Sequence, residues 1–289
     1  MPLKIAVSSY SFNRLGQGLE GEKAPSLTAM IDACVPHGID GFEVLYQDLV
    51  RDGATTPAAL NALKRHAALR GVSLVSVSAH HNFVTPDPGE RAAQVDLLCD
   101  AVDAAAQLGA PFVRAFGGRW NTLSWPELLA AGGVEPPRDG FSDDHGYEWS
   151  VEAFRAAAHY AGRHGVVLVL ENHWGLTGTP EGVLRIVEAV GSPWLMVVLD
   201  TGNFGHLPDQ YAAMEQLLPH LALVHAKTYA GGGFAIDLDL DYGRIVGLLR
   251  DAGYHGWLSI EFEGKAHPDE GIPAGVAELR EAMMGTGRA

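Results

Sequence analysis

The sequence predicts an α/β chain folded as a single (β/α)8 barrel over residues 1–289, and three observations carry that reading. Short β-branched runs alternate with amphipathic helical segments eight times over. Most of the runs are continuously apolar, as parallel strands covered on both faces require. Glycine recurs where a helix stops and a strand begins, at His37-Gly38, Arg70-Gly71, Leu108-Gly109, His164-Gly165 and Ala252-Gly253. Strand–helix alternation implies right-handed crossovers, and eight such units imply closure. An open doubly wound sheet is the competing arrangement, but no early Gly-x-Gly-x-x-Gly fingerprint supports it.

Taken in order, the strand-like runs are Lys4–Ser8, Gly41–Leu45, Val72–Ser78, Phe112–Phe116, Val166–Leu170, Leu195–Leu199, Leu221–His225 and Trp257–Phe262. The helical segments lie near 25–37, 57–70, 89–108, 150–164, 180–190, 209–218, 241–252 and 271–284. Pro25, Pro57, Pro126 and Pro180 stand near helix starts, where a missing N–H costs little. One connection departs from the pattern. Residues 117–149 hold no clear strand but carry Trp120, Trp125, Trp149 and several prolines and glycines, with a short helix expected at Ser124–Ala131. Following the fourth strand, this insertion overhangs the C-terminal mouth and reads as a lid or as a contact in a homo-oligomer.

Composition narrows the function classes. Hydrophobic residues make up 47% of the chain and the formal net charge is −15, with no cluster of Lys and Arg. Nucleic acid is a poor partner for such a surface. The two cysteines, Cys34 and Cys99, exclude a disulfide framework. The opening Met-Pro-Leu-Lys-Ile-Ala-Val lacks a signal-peptide pattern, and no apolar run nears the roughly 18 residues of a membrane span. The expectation is a cytoplasmic chain without a membrane partner.

In a barrel, side chains at the C-terminal strand ends converge on the mouth. The fifth run ends in Glu171-Asn172-His173-Trp174, the sixth in Asp200-Thr201-Gly202-Asn203, the seventh in His225-Ala226-Lys227 and the eighth in Glu261-Phe262-Glu263. Three carboxylates delivered to one quadrant repel one another unless a cation sits among them. Carboxylates with one imidazole suit a single divalent ion of the Mn, Mg, Co or Zn kind, so Glu171, Asp200, His225 and Glu261 are the expected ligands.

These motifs, with the stretch from Gly253 to Glu261, resemble the xylose isomerase-like barrel superfamily, and within it the sugar phosphate isomerase/epimerase group of ketose 3-epimerases and inosose-handling enzymes. The resemblance covers nearly the whole chain and is most specific from Val166 to Gly264. It implies that Glu171 and Glu261 also move a proton. The implied activity is sugar or ketose isomerisation or epimerisation through a metal-stabilised enediolate, on a small sugar or polyol-derived ketone. A lyase or dehydratase acting on a keto-sugar, inosose or 3-keto-glycoside is the alternative.

Two departures matter. The epimerases carry a substrate-binding His three residues after the metal Asp, where this chain has Asn203. Related zinc endonucleases need further His ligands, but Asn203, Arg114 and Asp237-Leu-Asp239 stand at the corresponding places, which makes a trinuclear cluster unbuildable. Further substrate contacts are expected from His81 (as a binding or proton-relay group), Lys227 and Trp174, with Ser8, Tyr10 and Phe12 on the pocket floor. Glu43 and Arg114, charged residues in apolar strands, either bind substrate or pair with each other inside the barrel.

Overall fold

The structure, a computed structural model, describes residues 3–13 and 23–285. Eight strands, β1 (Lys4–Ser8), β2 (Gly41–Leu45), β3 (Ser73–Ser78), β4 (Phe112–Phe116), β5 (Val167–Glu171), β6 (Leu195–Asp200), β7 (Leu221–Thr228) and β8 (Trp257–Phe262), follow one another around a closed barrel in chain order. The expected (β/α)8 fold is therefore the observed one.

The bounds of β3, β5, β6 and β7 differ from the sequence reading by one to three residues, with local causes. Val72 and Val166 are apolar, but their N–H groups bond back to Ala67 and Ala161, closing the ends of the preceding helices. Gly71 and Gly165 make those closures with φ of 72° and 69°, a conformation only glycine adopts cheaply. At the other end, β7 runs on to Thr228 because Ala226, Lys227 and Thr228 pair with Ile260, Glu261 and Phe262 of β8.

The helices in chain order are α1 (Leu27–Cys34), α2 (Tyr46–Arg51), α3 (Pro57–Leu69), α4 (Pro88–Leu108), α5 (Trp125–Ala130), α6 (Asp143–His164), α7 (Pro180–Val190), α8 (Gln210–Leu217), α9 (Tyr242–Asp251) and α10 (Pro268–Met284). Most begin on a capping side chain: Ser26, Thr56, Thr179, Asp209 and Asp241 each accept a backbone N–H of the first turn. The six-residue α2 has no such cap and was not expected.

The 117–149 insertion is more ordered than its composition implies. Helix α6 starts at Asp143 and not near 150, because Ser142 and His145 form a capping box and Asp143 and Asp144 fill the first turn. Trp149 thus lies within α6, with its ring 5.7 Å from Trp120 and 5.4 Å from Phe141. Ahead of it, α5 is capped by Ser124 and Glu127. The buried Glu135 accepts N–H bonds from Asn121 and Thr122 and faces the Arg119 guanidinium at 3.3 Å.

Packing divides the chain into a half built on β1–β3, β7 and β8 and a half built on β4–β6. Among the described residues, no helix is long and apolar enough to cross a membrane.

Candidate metal centre

In the half that holds β7 and β8, strand alternation and register align the polar ladder. His225 and Lys227 share one face of β7, opposite Ser259 and Glu261 of β8, while Val224, Ala226, Leu258 and Ile260 face the other way into the core. From β2, the fully buried Glu43 reaches both strands: its Oε1 lies 3.1 Å from His225 Nε2, and its Oε2 accepts Ser259 Oγ at 2.6 Å. A carboxylate accepts, so the imidazole proton sits on Nε2 and the ring presents its Nδ1 lone pair. That Nδ1 lies 3.4 Å from Glu261 Oε1, an approach of two electron-rich atoms that needs a proton or a cation between them. Lys227 Nζ contacts Glu261 Oε2 at 2.8 Å and Glu263 Oε1 at 2.6 Å, and stands 5.1 Å above the Tyr10 ring. Burial, reinforced by the negative charge of Glu263, raises the Tyr10 phenol above its ordinary range.

In the other half, Glu171 and Asp200 are fixed from behind. The amide of Asn172 accepts from Asp200 N at 2.7 Å and donates to Asp200 O at 3.0 Å. Asp200 Oδ1 accepts from the N–H of Gly202 and Asn203, a turn that locks its rotamer. Asn203 Nδ2 donates to Glu171 Oε1 at 3.2 Å and to Asn172 O at 3.0 Å. Arg114 places Nε 3.0 Å from Glu171 Oε2, donates to Ala79 O and lies 4.0 Å from the Phe116 ring.

The predicted quartet comes together. Glu171, Asp200, His225 and Glu261 are buried and each offers one ligand atom, all within 4.8 Å of one another. Three carboxylate oxygens and one imidazole nitrogen at that spacing fit a hard or borderline divalent cation.

Arg114, expected either to bind substrate or to pair with Glu43, has Glu171 as its carboxylate neighbour. Arg114 lies opposite Val169 in the β4–β5 register, and its long side chain extends to Glu171, the next residue on that face of β5. Lys227, expected at a substrate oxygen, instead directs its ammonium to Glu261 and Glu263. Trp174 is buried beneath Gly133, with its ring 5.9 Å from Trp125 and 5.6 Å from His206; a Cβ on Gly133 would sit 2.2 Å from that indole.

His81 is buried among Phe83, Phe116 and Phe154, and its Nε2 accepts the Phe116 N–H at 3.1 Å. Burial, helped by the Arg114 and His80 charges, pushes the ring from 6.5 down to about 3. A ring held neutral in this way does not relay protons near pH 7, which leaves only its Nδ1–H for a ligand. The unfolded chain takes up this proton below about pH 6.5 and the folded chain only near 3, so the associated stability is complete above 6.5 and lost as pH falls towards 3. Across that window, urea unfolding should show the native protein losing up to about 1.4 kcal/mol per pH unit more than His81→Gln. Parallel pH profiles would refute the assignment.

Sequence reasoning missed Ser259, Asn172 and Glu263. Glu263 carried a signal, since Glu-x-Glu at a strand end places both acids on one side.

Comparison with known proteins agrees with the fold. No curated protein matches the chain in sequence. A 3-keto-D-glucoside 4-epimerase from E. coli superimposes with a TM-score of 0.75 at 15% identity, covering 96% of this chain and 99% of its own. The D-psicose 3-epimerase of Clostridium cellulolyticum H10, solved with D-tagatose, gives 0.75 at 18% identity and covers 97% and 99%. An L-ribulose 3-epimerase gives 0.69 at 20% identity and covers 98% and 92%. Residues 31–282 match the sequence pattern of one family across most of the chain, and the protein belongs to the xylose isomerase-like TIM barrel family.

Proposed function

We propose that this protein is a divalent-metal-dependent sugar epimerase or isomerase that moves a proton at the carbon next to a carbonyl. The observation that carries the reading is the buried Glu171, Asp200, His225 and Glu261 group, with one ligand atom from each within 4.8 Å of the others. A divalent cation there supplies Lewis-acid polarisation of the substrate carbonyl. Asp200 and His225 hold it, the first locked by its turn and the second oriented by Glu43.

Glu171 and Glu261 are the proton-moving pair. Inversion at a carbon needs one carboxylate to take the proton and a different one to return it, and these two come from separate strands, β5 and β8. Asn203 donates from Nδ2 to Glu171 and to Asn172 O, and its amide oxygen is the group we assign to a sugar hydroxyl. Its neutrality makes it a positioning contact and leaves the proton to the glutamates. His81, through Nδ1–H, and the Trp174 indole complete the proposed sugar-binding surface.

Incubation with D-psicose, D-tagatose, L-ribulose or a 3-keto-glucoside in D2O tests the reading, probes chosen from the substrates of the structural neighbours. Deuterium next to the carbonyl, with no loss of water or aglycone, is expected for at least one of them. An unsaturated product would replace epimerisation with elimination, and a protein that binds no metal would sink the proposal.

A further inference from the structure

The ammonium of Lys227 is too well held to serve as a free substrate contact. It bridges Glu261 Oε2 and Glu263 Oε1 at 2.8 and 2.6 Å, and the Tyr10 ring lies 5.1 Å from it. The β7–β8 register fixes this arrangement, because Lys227 is the direct cross-strand partner of Glu261. Tyr242 also donates its hydroxyl to the Lys227 carbonyl at 2.6 Å, pinning the backbone at that residue. The half built on β4–β6 repeats the device with other parts: Arg114 places Nε 3.0 Å from Oε2 of Glu171 and stacks on Phe116. Each glutamate of the quartet thus has a buried cation within ion-pair distance of its Oε2, and that cation lies over an aromatic ring.

We infer that Lys227, anchored by Glu263, is a positioning residue that fixes which oxygen of Glu261 faces the metal and which faces the substrate. The inference rests on the metal-dependent reading of the quartet. A cation on Oε2 keeps Glu261 from chelating through both oxygens and holds the carboxylate plane in one orientation. The same positive charge opposes a dication nearby, so Lys227 weakens metal binding while favouring turnover. Glu263 has a distinct part. It gives Lys227 a second anionic partner at 2.6 Å, which holds the ammonium over Oε2 of Glu261.

The test compares Lys227→Met, Lys227→Arg and Glu263→Gln with the native protein. Mn2+ affinity is measured on chelator-stripped protein by calorimetry, and kcat and KM by deuterium uptake into the best sugar probe. Lys227→Met is expected to bind Mn2+ as tightly as the native protein or up to about tenfold more tightly. Its kcat should fall at least tenfold with KM within about threefold, Lys227→Arg should recover part of that loss, and Glu263→Gln should show a smaller loss of the same kind. A tenfold rise in KM with kcat unchanged would make Lys227 a direct substrate contact and overturn the inference. Weaker Mn2+ binding in Lys227→Met, or full activity in both Lys227→Met and Glu263→Gln, would also overturn it. Failure of the native protein to bind Mn2+ would instead remove the metal-dependent reading, and calorimetry reports that separately.

Discussion

Chelator-stripped protein is expected to lose proton exchange by at least about a thousandfold, and one equivalent of a divalent cation is expected to restore it. The size of the effect follows from the charges. Three buried carboxylates whose ligand atoms lie within 4.8 Å repel one another by at least about 3.5 kcal/mol per pair at an effective dielectric near 20. Arg114 and Lys227 offset part of that repulsion, but each is shared with another acceptor, Ala79 O in one case and Glu263 in the other. A dication at the centre removes the remainder, so its loss should show in stability as well as in turnover. Saturation with Mn2+ at about a hundred times Kd should raise the unfolding free energy of stripped protein by about 2.7 kcal/mol, measured in urea. A stripped protein with native stability and unchanged exchange would mean that the quartet is a network of ion pairs and not a metal centre.

What could be read from the chain before its structure depended on which forces are local. Parallel strands buried on both faces write themselves as apolar runs, and helix ends write themselves as capping residues and glycines. β1, β2, β4 and β8 therefore coincide with the runs expected for them. The quartet was legible for a related reason, since a polar residue that closes an apolar strand has only the barrel mouth to face. The pairings behind it were not. Glu43 meets His225 across 182 residues of chain, and strand alternation says which face an acid occupies but not which of several bases it will meet. Arg114 illustrates the same limit: its face could be assigned, but the choice of Glu171 over Glu43 depended on the β4–β5 register. The early start of α6 was legible in Ser142, Asp143 and Asp144, but the tryptophans and prolines of the insertion masked it.

Replacing Glu261 with Gln should lower net epimerisation by about 10² to 10⁴ while leaving a metal bound. Gln keeps the shape of the side chain and an oxygen in the position of Oε1, so ligation is largely preserved; its amide nitrogen then faces Lys227, which keeps its contact with Glu263. What it loses is the capacity to hold a proton near neutral pH. The two-carboxylate mechanism then makes an asymmetric demand. With Glu261 silenced, Glu171 still removes the proton from whichever epimer presents it to β5, and returns solvent deuterium to the same face. Exchange without inversion should therefore persist for one epimer and vanish for the other. Glu171→Gln should give the mirror result, with exchange surviving in the opposite epimer. Arg114 and Lys227 bear on Glu171 and Glu261 separately, so each single replacement leaves the other carboxylate in its native setting. If either variant lost exchange from both epimers to the same degree, or lost it from neither, the division of the proton between Glu171 and Glu261 would have to be given up, even with the metal centre intact.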